Sequence, residues 1–227
     1  KMIRINRRNF VGGAVALAAT LRLRPAFAAK KPDLVDVKGS DPAKMVAAAL
    51  AALGGIKKFV KKGDYVVIKP NAGFANPPEW ATTTHPETVA AVARACVGAK
   101  AKQVLIVEYP LAKGKKALDR SGISAAVAGI SGVEVRVLGG ARDFRKVKVK
   151  GGTELKEVEV AKAVLSADVL INLPAAKAHS DAGVSFGLKN AMGLIRDRAA
   201  FHTAMNLDKA IADLARVVKP NLTILDA

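Results

Sequence analysis

Residues Asp168 to Ile195 read DVLINLPAAKAHSDAGVSFGLKNAMGLI. Val169, Leu170 and Ile171 are contiguous rather than alternating with polar residues. That pattern suits a strand covered on both faces, inside a sheet rather than at its edge. Pro174 ends the strand, because proline brings no amide hydrogen to a sheet ladder. Lys177, His179, Ser180, Asp181, Ser185, Lys189 and Asn190 then fall within 14 residues, with Gly183, Gly187 and Gly193 spaced around them. Such a mixture makes poor core. Cations, amides and glycines that admit close backbone approach make a good cradle for an anionic or carbonyl-bearing ligand. The alternative is a solvated loop over a sheet edge. The position just past a buried strand favours the cradle, since ligands in open parallel sheets sit beyond the strands' carboxyl ends.

Working outward, apolar strands are predicted at Asp33–Val37, Tyr65–Lys69, Gln103–Glu108, Val133–Leu138 and Asn221–Asp226, separated by helical patterns. Asp41-Pro42 starts one helix, with aspartate as N-cap and proline at N1. Thr84 and Glu87 have the spacing of a capping box for the next, on which Cys96 shares the apolar face with Val89, Val92 and Ala93. A helical stretch is predicted around Lys115–Ala128. Asn206 caps a last helix that carries Leu207, Ile211 and Leu214 inward and stops before Pro220. Lys146–Val149 and Leu155–Val160 alternate around Gly151-Gly152, as an edge β-hairpin would. The alternation predicts an α/β fold, with a mostly parallel sheet and helices on both faces in a Rossmann-like three-layer arrangement. Its carboxyl rim would gather Lys69-Pro70-Asn71, Glu108-Tyr109-Pro110, Asn172 through His179, and Asp226.

The 227 residues are 51% hydrophobic but only 4% aromatic, so alanine and valine must fill the core. No apolar run is long enough to span a membrane, which implies no integral membrane segment in the mature chain. Residues 1–28 have the order of an export signal: basic Lys1, Arg4, Arg7 and Arg8, an apolar run from Val11 to Leu21, and Ala26-Phe27-Ala28. The Arg7-Arg8 pair resembles the twin-arginine signal. It implies passage through the twin-arginine translocase and a periplasmic or otherwise exported destination. Removing this segment takes six of 37 basic residues and none of the 19 acidic ones, leaving a net charge of +12 on residues 29–227. Those lysines are scattered and few aromatics are present to stack on bases, so nucleic acid is not the expected partner. The single Cys96 cannot supply the four thiolates of an iron–sulfur cluster.

Several pieces resemble domain-of-unknown-function family 362: VVIKPN at Val66–Asn71, TTTHPE at Thr82–Glu87, ADVLINLPAAKAHS at Ala167–Ser180, GLKNAMGLI at Gly187–Ile195, and KPNLTILDA at Lys219–Ala227. The resemblance covers roughly Leu34–Ala227 and implies one α/β domain over residues 29–227. It also implies a chain continuing past the final strand, so the sequence reads as truncated there. Many relatives carry a ferredoxin-like domain with cluster-binding cysteines, which this chain lacks. A similarity of layout links the family to nickel-dependent lactate racemases. No nucleotide-binding loop, nucleophile elbow or dinucleotide fingerprint occurs.

The candidate site follows from the rim. Lys69, Asn71, Ser180, Lys189 and Asn190 would bind a small anionic ligand. His179, His202 and Lys177 would carry any chemistry, the histidines moving protons. The histidines form no i, i+4 pair, so a divalent metal would need His179, His202 and Asp226 brought together by the fold. The rival reading is a non-catalytic accessory module serving an iron–sulfur redox partner.

Overall fold

The structure is a computed structural model and describes residues 3–5, 32–112 and 114–227. Residues 1–28, expected to be an export signal, therefore lie outside the described residues, except for strand β1 (Ile3–Ile5), which pairs parallel with β2 (Val35–Val37). Helix α1 (Pro42–Leu53) begins as predicted: Lys44 N donates to Asp41 Oδ1 at 3.0 Å, with Pro42 at N1. Then follow β3 (Tyr65–Pro70), α2 (Pro86–Gly98), β4 (Gln103–Glu108), α3 (Lys116–Arg120), α4 (Ile123–Val127) and β5 (Val133–Val137). After these come β6 (Phe144–Lys148), β7 (Glu157–Ala161), α5 (Lys162–Leu165), β8 (Val169–Leu173), β9 (Lys177–His179) and β10 (Gly183–Ser185). The chain closes with α6 (Gly187–Asn190), α7 (Ala199–Thr203), α8 (Leu207–Leu214) and β11 (Leu222–Thr223).

Five strands form one parallel sheet in the order β11-β8-β3-β4-β5. β8 is interior, between β3 and β11, as its unbroken apolar run predicts. The strand period of two divides each run between two cores. Val66, Ile68, Val104, Ile106, Val169 and Ile171 face one core, closed by residues of α1, α2 and α4. Val67, Leu105, Val107 and Leu170 face the other, closed by Leu194, Ile195, Phe201, Ile211 and Leu214. Val158, Val160 and Leu155 join this second core. β6 and β7 pair antiparallel in a two-stranded sheet of their own, so the hairpin covers a face rather than hydrogen-bonding to the edge. Its alternation is genuine: the apolar side is buried and the charged side is wet.

Other local expectations change. The Lys115–Ala128 stretch is two helices, because Gly122 between them takes φ 76°, a left-handed conformation that no α-helix contains. The cap of α2 is His85, whose Nδ1 accepts from Glu87 N at 3.2 Å. Thr84 is instead fully buried between strands: its Oγ1 accepts from Asn71 N at 2.7 Å and donates to Leu173 O at 2.6 Å. A hydroxyl satisfying two buried backbone groups outweighs one capping bond available at the helix end.

Candidate functional site

Lys69 is the penultimate residue of β3 and Glu108 the last of β4, neighbouring parallel strands, so both reach the same rim. Lys69 is only 1% exposed and its Nζ lies 2.8 Å from Glu108 Oε2. It also donates to Pro70 O and, at 3.3 Å, to Asn190 Oδ1. Burial pushes the Lys69 ammonium down from its ordinary range, and Glu108 pulls it back. Glu108 accepts further bonds from Ala72 N at 2.8 Å and Tyr109 N at 3.0 Å. A buried ion pair is tolerated only when its remaining lone pairs and protons are satisfied, and here they are. Gly193 crosses directly above: a Cβ there would meet Lys69 Cε at 2.6 Å and Nζ at 2.8 Å. That close approach is what the glycine provides.

Asn190, the last residue of α6, ties this pair to the interior strand. Its Nδ2 donates to Asn172 Oδ1 at 2.8 Å and Lys69 O at 3.2 Å, and its Oδ1 accepts from Asn71 Nδ2 at 3.1 Å. Lys177 Nζ donates to Asn71 Oδ1 at 2.8 Å and to Thr82 O, and stands 5.2 Å from the Phe74 ring centroid. These groups form part of the wall of a cleft of about 420 Å³, lined by Lys69, Asn71, Lys177, His179, Lys189 and Asn190. His202 lines it as well, and from α7's start so does Arg198.

Arg198 Nη1 donates to Tyr109 O at 2.6 Å, and its guanidinium lies 4.6 Å from the Tyr109 ring centroid. Lys189 Nζ meets, among the described residues, only the weak acceptor Met192 Sδ, at 3.2 Å. Among the described residues, no carboxylate forms an ion pair with Lys177, Lys189 or Arg198. Desolvation is the first cause that lowers the pKa of all three, opposed for Lys177 and Arg198 by Glu108 and for Lys189 by Asp181.

The histidine rings stack, with centroids 6.0 Å apart and planes 19° from parallel. His179 Nδ1 accepts from Asp181 N at 3.1 Å and Ala182 N at 3.3 Å, which leaves Nε2 for a ligand. Burial, then the charge of Lys189, depresses the His179 pKa. His202 Nδ1 lies 2.8 Å from Asp181 Oδ2. Two of the predicted residues fall elsewhere. Ser180 Oγ donates to Asp181 Oδ1 at 2.9 Å, and the serine does not line the cleft. Asp226 accepts from His85 N at 2.6 Å and Thr88 Oγ1 at 3.3 Å, so it serves the start of α2. The proposed His179, His202 and Asp226 ligand set does not fit a metal. Stacked rings do not aim two nitrogens at one ion about 2 Å from each. Among the described residues no group of three or more His, Cys, Asp or Glu side chains is placed to hold a metal ion.

Glu108 and Tyr109, expected at the rim, and Gly193, expected in the glycine-rich cradle, line the cleft although none was given a site role from sequence, and Arg198 joins them unforeseen. Glu108 did carry a signal: a carboxylate closing an otherwise apolar strand needs a cation, and Lys69 closes another strand in the same way. Arg198 carried none, because its partner is a backbone carbonyl 89 residues away.

A five-stranded parallel sheet with both faces covered and a polar cleft at its carboxyl rim defines an α/β fold of the Rossmann-like three-layer kind. The pattern of the family described as "Domain of unknown function (DUF362)" matches residues 66–227, and the chain belongs to that family. It is 28% identical over 190 residues to a thylakoid-associated protein of Synechocystis sp., covering 78% of this chain and 56% of that protein. Two solved structures share the fold. One is a protein of Thermotoga maritima, with TM-score 0.56, 13% identity, and coverage of 83% of this chain and 52% of that one. The other is the lactate racemase apoprotein of Thermoanaerobacterium thermosaccharolyticum, with TM-score 0.54, 14% identity, and coverage of 82% and 49%. The chain thus spans about half the length of each relative.

Proposed function

We propose that this is an exported protein that binds a small organic anion, a carboxylate or phosphate, in the cleft at the sheet's carboxyl rim. The carrying observation is that Lys177, Lys189 and Arg198 line one cleft without a carboxylate partner among the described residues. Like charges gathered in a partly desolvated space repel one another, and an anion relieves both costs. The lysines and Arg198 hold the anion, and Asn71 and Asn190 orient it. His179, through Nε2, exchanges a proton with the bound molecule, with His202 behind it. The likeness to lactate racemase is one of fold, and the small-carboxylate reading rests on the cations.

The test is a thermal-shift and calorimetric panel of phosphate, acetate, lactate and pyruvate at low ionic strength. At least one is expected to raise Tm and bind at a single site, and to lose affinity at high salt. No shift from any of them at tens of millimolar would overturn the reading and leave the accessory-module role. Export is tested by replacing Arg7 and Arg8 with lysine in the full chain, expressed in a bacterium with a twin-arginine translocase. Loss of periplasmic protein is expected. Periplasmic material with residues 1–28 intact would argue against the signal.

A further inference from the structure

The other side of the glycine-rich segment bears a second cavity, of about 450 Å³. The segment from β10 into α6 is extended through Phe186, so its side chains alternate between the two cavities. Ser185 faces the polar cleft, whereas Val184 and Phe186 face the second cavity, joined there by Leu188. Ile211, Ala215 and Val218 form the opposite wall. Val184, Phe186 and Leu188 are 50%, 45% and 56% exposed, an apolar cluster from β10 to α6 that lies outside both cores. Asp208 and Asn172 are polar side chains on the lining, Asp208 exposed. Lys69 and Lys189 line both cavities.

From this juxtaposition we propose that the ligand is amphipathic: an anionic head at Lys189 with an apolar chain or ring lying against Val184, Phe186 and Leu188. The inference rests on the anion-binding reading and adds the substrate class to it. A small acid such as acetate fills only the head position. A longer alkyl chain would lie in the apolar cavity, where each buried methylene strengthens binding by roughly fourfold.

The experiment is calorimetric titration of the full chain with acetate, butyrate, hexanoate, octanoate and decanoate, and with octanol as the uncharged control. The expected result is affinity that climbs with chain length, and octanoate binding far tighter than octanol. Leu188→Glu and Phe186→Glu, both at exposed positions and checked for folding by circular dichroism, are expected to flatten the climb. Acetate binding with a flat series in the unsubstituted protein would overturn the amphipathic ligand and leave the small-anion site standing. Octanol binding as tightly as octanoate would overturn the charged head. A climb that persists in both variants would place the chain elsewhere and overturn the assignment. No binding by any member would overturn this inference, while phosphate, lactate and pyruvate in the panel above decide the anion-site reading separately.

Discussion

Lys189 is half-buried, and its ammonium's hydrogen-bond partner is a thioether 3.2 Å away. A cation so placed costs folding free energy that a bound anion would offset. Lys189→Met keeps the aliphatic length and removes the charge. It is expected to leave Tm of the ligand-free protein unchanged or slightly raised, while anion affinity falls at least tenfold; thermal melts and calorimetry read the two effects separately. The pH dependence has a fixed sign. Because desolvation lowers the Lys177 and Lys189 pKa values, anion affinity should decline as pH rises through a region below the ordinary lysine value of 10.5. A loss confined to pH above 10.5 would count against those lysines as the binding groups. Gly193 makes a different demand. Its Cβ would press on Lys69 Cε at 2.6 Å, with a fully buried ion pair behind it, so Gly193→Ala is expected to cost ~1–3 kcal/mol of stability by denaturant titration.

Among the elements, α8 shows how a helix in the second core is held to the hairpin opposite it. Asp213 is buried on α8, and its Oδ2 accepts from Thr153 N and Glu154 N at 2.7 Å and from Leu155 N at 3.1 Å, all in the turn between β6 and β7. These backbone donors, led by Leu155, hold its pKa down to about 2, from 3.8. A carboxylate depressed on folding stabilises the fold above its unfolded pKa and loses that contribution as pH falls through the folded value. Asp213→Asn is therefore expected to lower Tm most above pH 4, with the gap from the unsubstituted protein closing towards pH 2. A gap independent of pH would mean that the carboxylate's charge is not what binds the turn. The same comparison shows what sequence patterns carry. The apolar runs of β3, β4 and β8 and the caps at Asp41 and Asn206 were legible because each signal is local. That Lys177, His179, Lys189 and Asn190 gather at the rim was legible because they follow a buried strand, and all four line one cleft. Thr84's role and the hairpin's seat were not, since Thr84 bonds Leu173 across 89 residues and the hairpin's wet and dry faces look alike whether it edges a sheet or covers one.

At the scale of the molecule, the Lys69–Glu108 pair joins the ends of two central strands to α6 through Asn190, so the cleft and the sheet are one cooperative unit. The thiol of Cys96 lies in the core on the far face, pushed up to about 12 by burial, and gives an independent view of global opening. Breaking the pair from either side leaves an uncompensated buried charge, which costs about 3–5 kcal/mol. That is a large share of the ~5–15 kcal/mol that holds a typical domain folded. Lys69→Met and Glu108→Gln are each expected to lower the urea midpoint sharply and to expose Cys96 to a thiol reagent earlier in the titration. The double variant removes both charges. Its loss should fall short of the summed single losses by roughly 2 kcal/mol or more, the coupling expected of residues in direct contact. Additive losses would show that the two side chains are satisfied by other partners and that the pair does not hold the rim together. In that case cleft geometry would survive either substitution, and anion affinity in the single variants would stay at the unsubstituted level. With the pair in its structural role, affinity and stability fall together in Lys69→Met, in contrast to Lys189→Met, where only affinity falls.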